Sequence, residues 1–114
     1  MTVMDIVKIT IAIATIGFGM LSVVSPKSAE KFTGLEAPGP RGISEIRSVL
    51  GGMFVGLGAA ALIYQSPSAY GTLGIGYLGI GVVRAGSIVF DKASTPSNWY
   101  SLAFEVACGI LLLV

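Results

Sequence analysis

Arg84 and Glu105 are the two residues whose type and place most invite chemistry. Each is the lone ionised side chain within a long apolar run, 69–90 for the arginine and 98–114 for the glutamate. A charge at the middle of a bilayer costs about 2.5–3.5 kcal/mol on insertion scales, so such residues are kept for pairing, ion or proton handling, or ligand binding. Arg84 lies seven positions before Asp91, and Glu105 lies seven positions after Asn98. In an antiparallel helical hairpin both would sit roughly 10 Å in from the same end. A guanidinium and a carboxylate at one depth can neutralise each other, as an ionic lock or as the seat of a ligand, a proton or an anionic lipid headgroup.

The neighbours of this pair follow helical spacing. Tyr70, Tyr77, Arg84 and Asp91 recur every seven residues, which predicts a polar stripe along one side of a helix, turned to the interior. Ser101, Glu105, Cys108 and Gly109 share a face by their spacing of three and four, leaving room beside the carboxylate. Glu45 and Arg47, near the start of another apolar run, could join the cluster. They point about 200° apart on a helix, so at most one is expected to turn inward. The candidate intramembrane cluster is therefore Glu45, Arg47, Tyr77, Arg84, Asp91 and Glu105.

What is missing narrows the chemistry further. The chain has no histidine and one cysteine, Cys108, which lies in an apolar run and can form no internal disulfide. No cluster of metal-ligand types and no nucleophile beside a base appears, so neither a catalytic residue, a metal site nor a cofactor site is expected, and the chain does not read as an enzyme. A net charge of +1 without a basic run argues against nucleic acid as a partner.

The elements that must hold these residues are set by composition. The 114 residues are 54% hydrophobic and only 11% charged, where soluble domains carry about 25% charged residues. Their mean hydropathy is +0.85. Four apolar stretches, about 6–24, 44–64, 69–90 and 98–114, approach or exceed the ~20 residues that cross a ~30 Å hydrocarbon core. The expected fold is an all-α integral membrane four-helix bundle with short loops, one domain over 1–114. Ser44 is the expected N-cap of the second span, and Ser97 or Asn98 that of the fourth. The segment 25–43, with Pro38-Gly39-Pro40, reads as a loop carrying a short interfacial helix at 28–33. Lys8 before an apolar run would also suit a secretory signal, but the run exceeds an h-region of 7–15 residues and no A-x-A site follows.

Orientation follows from the cations. Lys27, Lys31, Arg41, Arg47 and Lys92 lie in or beside the first and third loops, which places those loops in the cytoplasm and both termini outside it, in a multi-pass protein of the inner (plasma) membrane. Trp99 and Tyr100 at one face, with Tyr64 and Tyr70 at the other, are expected as interfacial anchors. Helices in lipid associate through close contact between small residues. Ser48, Gly52, Gly56 and Ala60 recur every four positions as such a ridge, and Ala12, Thr15, Gly19 and Ser22 line one side of the first span. The glycines of the third span are spread around it, suiting contacts on several sides.

The segment Ser44-Glu45-Ile46-Arg47-Ser48-Val49-Leu50-Gly51-Gly52, then Arg84, Asp91 and Glu105, with Phe32-Thr33-Gly34 and Pro40-Arg41-Gly42, resembles the bacterial four-helix family called domain of unknown function 4345. Members often have Asn before the glutamate and Tyr before the paired glycines, where this chain has Ser44 and Leu50. The resemblance implies a four-helix fold in a membrane and brings no activity or substrate. The expected role is an accessory or structural subunit packing against other helices of a larger membrane complex, respiratory or photosynthetic, with the lipid bilayer, other membrane subunits or a second copy as partners. The alternatives are a small four-helix transporter or a membrane protein that binds lipid or a small molecule. The small multidrug transporters resemble this chain in length and span count but carry an essential glutamate in their first helix, where this chain has only Asp5 at the edge.

Overall fold

Proline opens four of the helices. Its fixed φ suits the first turn, and its missing N–H is one that a helix start leaves unpaired anyway. Pro26, Pro40, Pro67 and Pro96 each occupy such a start in the computed structural model, which describes residues 1–114. The chain is all-α, without strands. We label its helices α1 (Val3–Val24), α2 (Pro26–Thr33), α3 (Pro40–Tyr64), α4 (Pro67–Phe90) and α5 (Pro96–Leu113). The helix α1 starts without proline on a reciprocal cap, Thr2 N–H to Asp5 Oδ2 at 2.8 Å and Asp5 N–H to Thr2 Oγ1 at 3.2 Å.

Three helices, α1, α3 and α4, are long and apolar enough to cross a membrane. The 18-residue α5 falls outside that set because its polar start, Ser97-Asn98-Trp99-Tyr100-Ser101, and Glu105 lower its apolar average. Two caps differ from expectation. The second long helix begins at Pro40, with extended Gly39 as its N-cap, so Ser44 lies inside it. Pro38-Gly39-Pro40 reads as a loop, yet its last residue has the φ that a first helical turn needs. In α5 the cap is Thr95, whose hydroxyl accepts from Asn98 N–H at 3.2 Å, ahead of the expected Ser97 or Asn98. A short helix is present in the segment expected to hold one, as α2, which starts two residues earlier than 28; it is ended by Gly34 in the left-handed conformation (φ 81°), whose N–H reaches Glu30 O at 2.8 Å.

The chain forms two compact units, one of Ile9–Tyr64 and one of Met1–Lys8 with Gln65–Val114. In the first, α1 meets α3 backbone to backbone. A Cβ on Gly19 would stand 2.7 Å from Val55 N and 2.8 Å from Gly51 O, and one on Gly58 would stand 2.9 Å from Ala12 O. Ala12, Thr15, Gly19 and Ser22 are the buried side of α1. Midway, α3 relaxes into a π-helical stretch, Ile46–Met53, which contains Gly51, the glycine at that contact. Phe18 packs its ring against Phe32 of α2 and Phe54 of α3, with centroids 5.6 and 5.1 Å apart.

In the second unit α4 and α5 form an antiparallel hairpin. Glycine faces glycine across it: a Cβ on Gly74 would stand 2.9 Å from Gly109 O, and one on Gly109 would stand 2.6 Å from the Leu78 side chain and 3.0 Å from Gly74 O. Tyr77 lies edge to face with Phe104, centroids 6.1 Å apart.

Candidate functional site

The α4–α5 contact fixes where Arg84 and Glu105 stand. Gly81, buried on α4 one turn before Arg84, faces Glu105 across the contact: a Cβ there would stand 3.7 Å from Glu105 Cβ, at ordinary packing distance. Arg84 Nε donates to Glu105 Oε1 at 2.8 Å, and Nη2 donates to Oε2 at 2.7 Å. This is a two-point fork, the strongest geometry a guanidinium and a carboxylate adopt. The third contact is Nη1 to Asn98 Oδ1 at 2.9 Å, and Asn98 in turn gives its Nδ2 to Ala93 O, also at 2.9 Å. The amide therefore relays the arginine to the backbone of the α4–α5 turn and fixes which way the guanidinium faces.

Burial within the pair is unequal. The Glu105 side chain is 9% exposed and that of Arg84 is 30% exposed. The carboxylate is thus covered with both oxygens engaged, while one side of the guanidinium stays open. That open side borders a groove of about 540 Å³ lined by Gly79, Ile80, Val83, Arg84, Ser87 and Asn98.

The remaining residues singled out from the sequence are distributed differently. Tyr77 is buried in the hairpin beside Phe104. Asp91 is exposed past the end of α4, where its carboxylate accepts from Ser87 Oγ at 2.6 Å. Glu45 accepts from Arg41 Nε at 3.1 Å, one turn away on an exposed face of α3. Arg47 Nη1 donates to Val23 O and so satisfies a carbonyl that the end of α1 leaves free. Both therefore find partners within their own unit. Trp99, Tyr100 and Tyr64 are exposed as anchors require, but Tyr70 is buried; Lys8 Nζ stands 5.8 Å from its ring centre and its hydroxyl has no hydrogen-bond partner. Burial follows from its spacing, since the seven-residue stripe that carries Tyr77 inward carries Tyr70 with it.

The small-residue ridge on α3 divides as well. Ser48, Gly52 and Gly56 are exposed, with nothing within 4 Å of a Cβ at either glycine, and Ala60 is half-buried. The ridge that meets α1 is the next one round, Gly51, Val55 and Gly58.

Sequence reasoning missed Asn98 as a member of the polar cluster. Its signal was present, because two helical turns before Glu105 put it on the glutamate's face, one helix end nearer the surface.

Residues 3–114 match the domain of unknown function DUF4345. The chain belongs to that family. No curated protein and no solved structure matches it.

Proposed function

We propose that this DUF4345 protein is a four-span integral membrane protein of the plasma membrane, with both termini outside the cytoplasm, acting as an accessory structural subunit. The observation that carries the reading is the pair of ridges on α3. One, which carries Gly51 and Gly58 on either side of Val55, is filled by α1; the other, Ser48, Gly52 and Gly56, is built of small residues throughout and is exposed. Glycine inside a helix destabilises it by about 1 kcal/mol relative to alanine, so glycines that touch nothing within the chain suit a surface that a second helix approaches closely. The Arg84–Glu105–Asn98 network serves this role as a lock that holds α4 to α5 and neutralises the charge α5 brings into lipid.

Native sizing after extraction in a mild detergent tests the reading. The wild-type chain is expected to migrate with a complex much larger than its 11.7 kDa and a micelle. Gly52→Leu with Gly56→Leu should release it as a folded monomer with unchanged helical content. A wild-type monomer, or a complex that the double variant leaves intact, overturns the reading.

A further inference from the structure

The groove beside Arg84 is graded in polarity along the helix axis. Gly79, Ile80 and Val83 line its deeper part, whereas Arg84, Ser87 and Asn98 line the part nearer the α4–α5 turn. A Cβ on Gly79 would meet nothing within 4 Å, so the deep part has room, and Val83 is 72% exposed. A guanidinium has five N–H donors. Two of those on Arg84 serve Glu105 and one serves Asn98, leaving one on each terminal nitrogen without a protein acceptor. Inside a bilayer no bulk water meets such donors, so their acceptors must come from protein or from lipid. The carboxylate that balances Arg84 is covered behind it, and the groove therefore presents the cationic half of the pair.

We propose that this groove binds a membrane phospholipid, its phosphate oxygens accepting from the two free Arg84 N–H groups and one acyl chain lying along Gly79 and Ile80. Phosphate suits the guanidinium better than a hydroxyl headgroup because it is charged and offers several acceptor oxygens to the two free donors. The site lies roughly 10 Å in from the end of α4. The Arg84 contact to Asn98, which is nearer the turn than Glu105, holds the guanidinium toward the headgroup region. The proposal rests on the reading that the hairpin lies in a bilayer, and it does not need a partner subunit.

The test uses the full chain, purified and delipidated in detergent. It is incubated either with phosphatidylglycerol or with a monogalactosyl diacylglycerol of the same acyl chains, which lacks phosphate, and bound lipid is quantified after gel filtration. Phosphatidylglycerol should be retained at least roughly tenfold more than the galactolipid. Gly79→Leu, which fills the groove and leaves the ion pair in place, should lower retention by a similar factor. Gly86→Leu, at another open glycine outside the groove, should not. Equal retention of the two lipids, or equal loss in both variants, overturns the proposal. Displacement of the lipid by millimolar inorganic phosphate also overturns it, because the ligand would then be the free anion. A chain that stays folded in buffer without detergent would overturn the bilayer reading and this one together, whereas equal lipid retention in detergent removes this one alone.

Discussion

Removing one member of the Arg84–Glu105 pair leaves the other charged in a place built for two. Losing one partner of a buried ion pair typically costs 3–5 kcal/mol, much of it the penalty of the stranded charge, while replacing both with neutral groups costs far less. We therefore expect Arg84→Gln and Glu105→Gln each to lower the thermal midpoint of the detergent-solubilised chain sharply, and the double variant to recover much of the loss. Light scattering or intrinsic fluorescence of the lone Trp99 during a thermal ramp reads this out. If the double variant is as unstable as the sum of the singles, the pair is not coupled and the lock is wrong. Arg84→Lys should recover little, because an ammonium cannot hold both carboxylate oxygens and Asn98 at once. At this scale much is legible in the residue order alone: the equal distances of the two charges from Asp91 and Asn98 put them at one depth. The exposure of Asp91 is legible in part, since the apolar stretch stops at residue 90 and the seven-residue stripe runs one position past it; the relay through Asn98 is not, because spacing gives a residue's side of a helix but not which polar groups bond. α4 ends at Phe90, Asp91 is exposed and accepts from Ser87, and it is Asn98 Oδ1 that accepts from Arg84 Nη1.

At the scale of elements, glycine position rather than glycine content decides how α3 packs. Gly19→Ala would place a methyl against Val55 N and Gly51 O, both backbone atoms that cannot rotate away. Overpacking of this kind costs about 1–3 kcal/mol, so the variant should melt clearly earlier than wild type. Gly52→Ala adds a methyl to open space and gains helix propensity, so the isolated chain should be unchanged or up to about 1 kcal/mol more stable. Guanidinium or heat denaturation of the two variants side by side separates them, and a Gly19→Ala protein as stable as Gly52→Ala would remove the close α1–α3 contact. The buried side of α1 is readable from Ala12, Thr15, Gly19 and Ser22, because these four small residues run along one side of most of the helix while Ala14 and Gly17 lie on another side and are exposed. In α3 two stripes of small residues lie side by side, and spacing alone cannot say which one the chain fills. The π-helical stretch at Ile46–Met53 adds to this, since it shifts the faces of α3 away from the regular 3.6-residue register on which the stripe was drawn.

For the whole molecule the number of membrane crossings turns on α5. Three helices satisfy length and apolarity, and α5 misses only because its average counts Glu105 and a polar first turn as if each faced lipid alone. In the hairpin that carboxylate is covered and bonded to Arg84 through both oxygens, so a charge that α5 carried into a membrane would be neutralised by the one on α4. Its 18 residues extend about 27 Å, close to the ~30 Å hydrocarbon thickness, with the exposed Trp99 and Tyr100 near one end. An even number of crossings puts Met1 and Val114 on the same side of the membrane, whereas three would put them on opposite sides. With Cys108 replaced by alanine, Thr2→Cys and Val114→Cys should both react with a membrane-impermeant maleimide added outside intact cells. Lys31→Cys, in the cation-rich segment between α1 and α3, should react only after the cells are opened. Labelling of Thr2→Cys from outside together with protection of Val114→Cys would reduce the count to three and return α5 to the membrane surface. The same outcome would leave the Arg84 fork without a hydrocarbon environment to explain it.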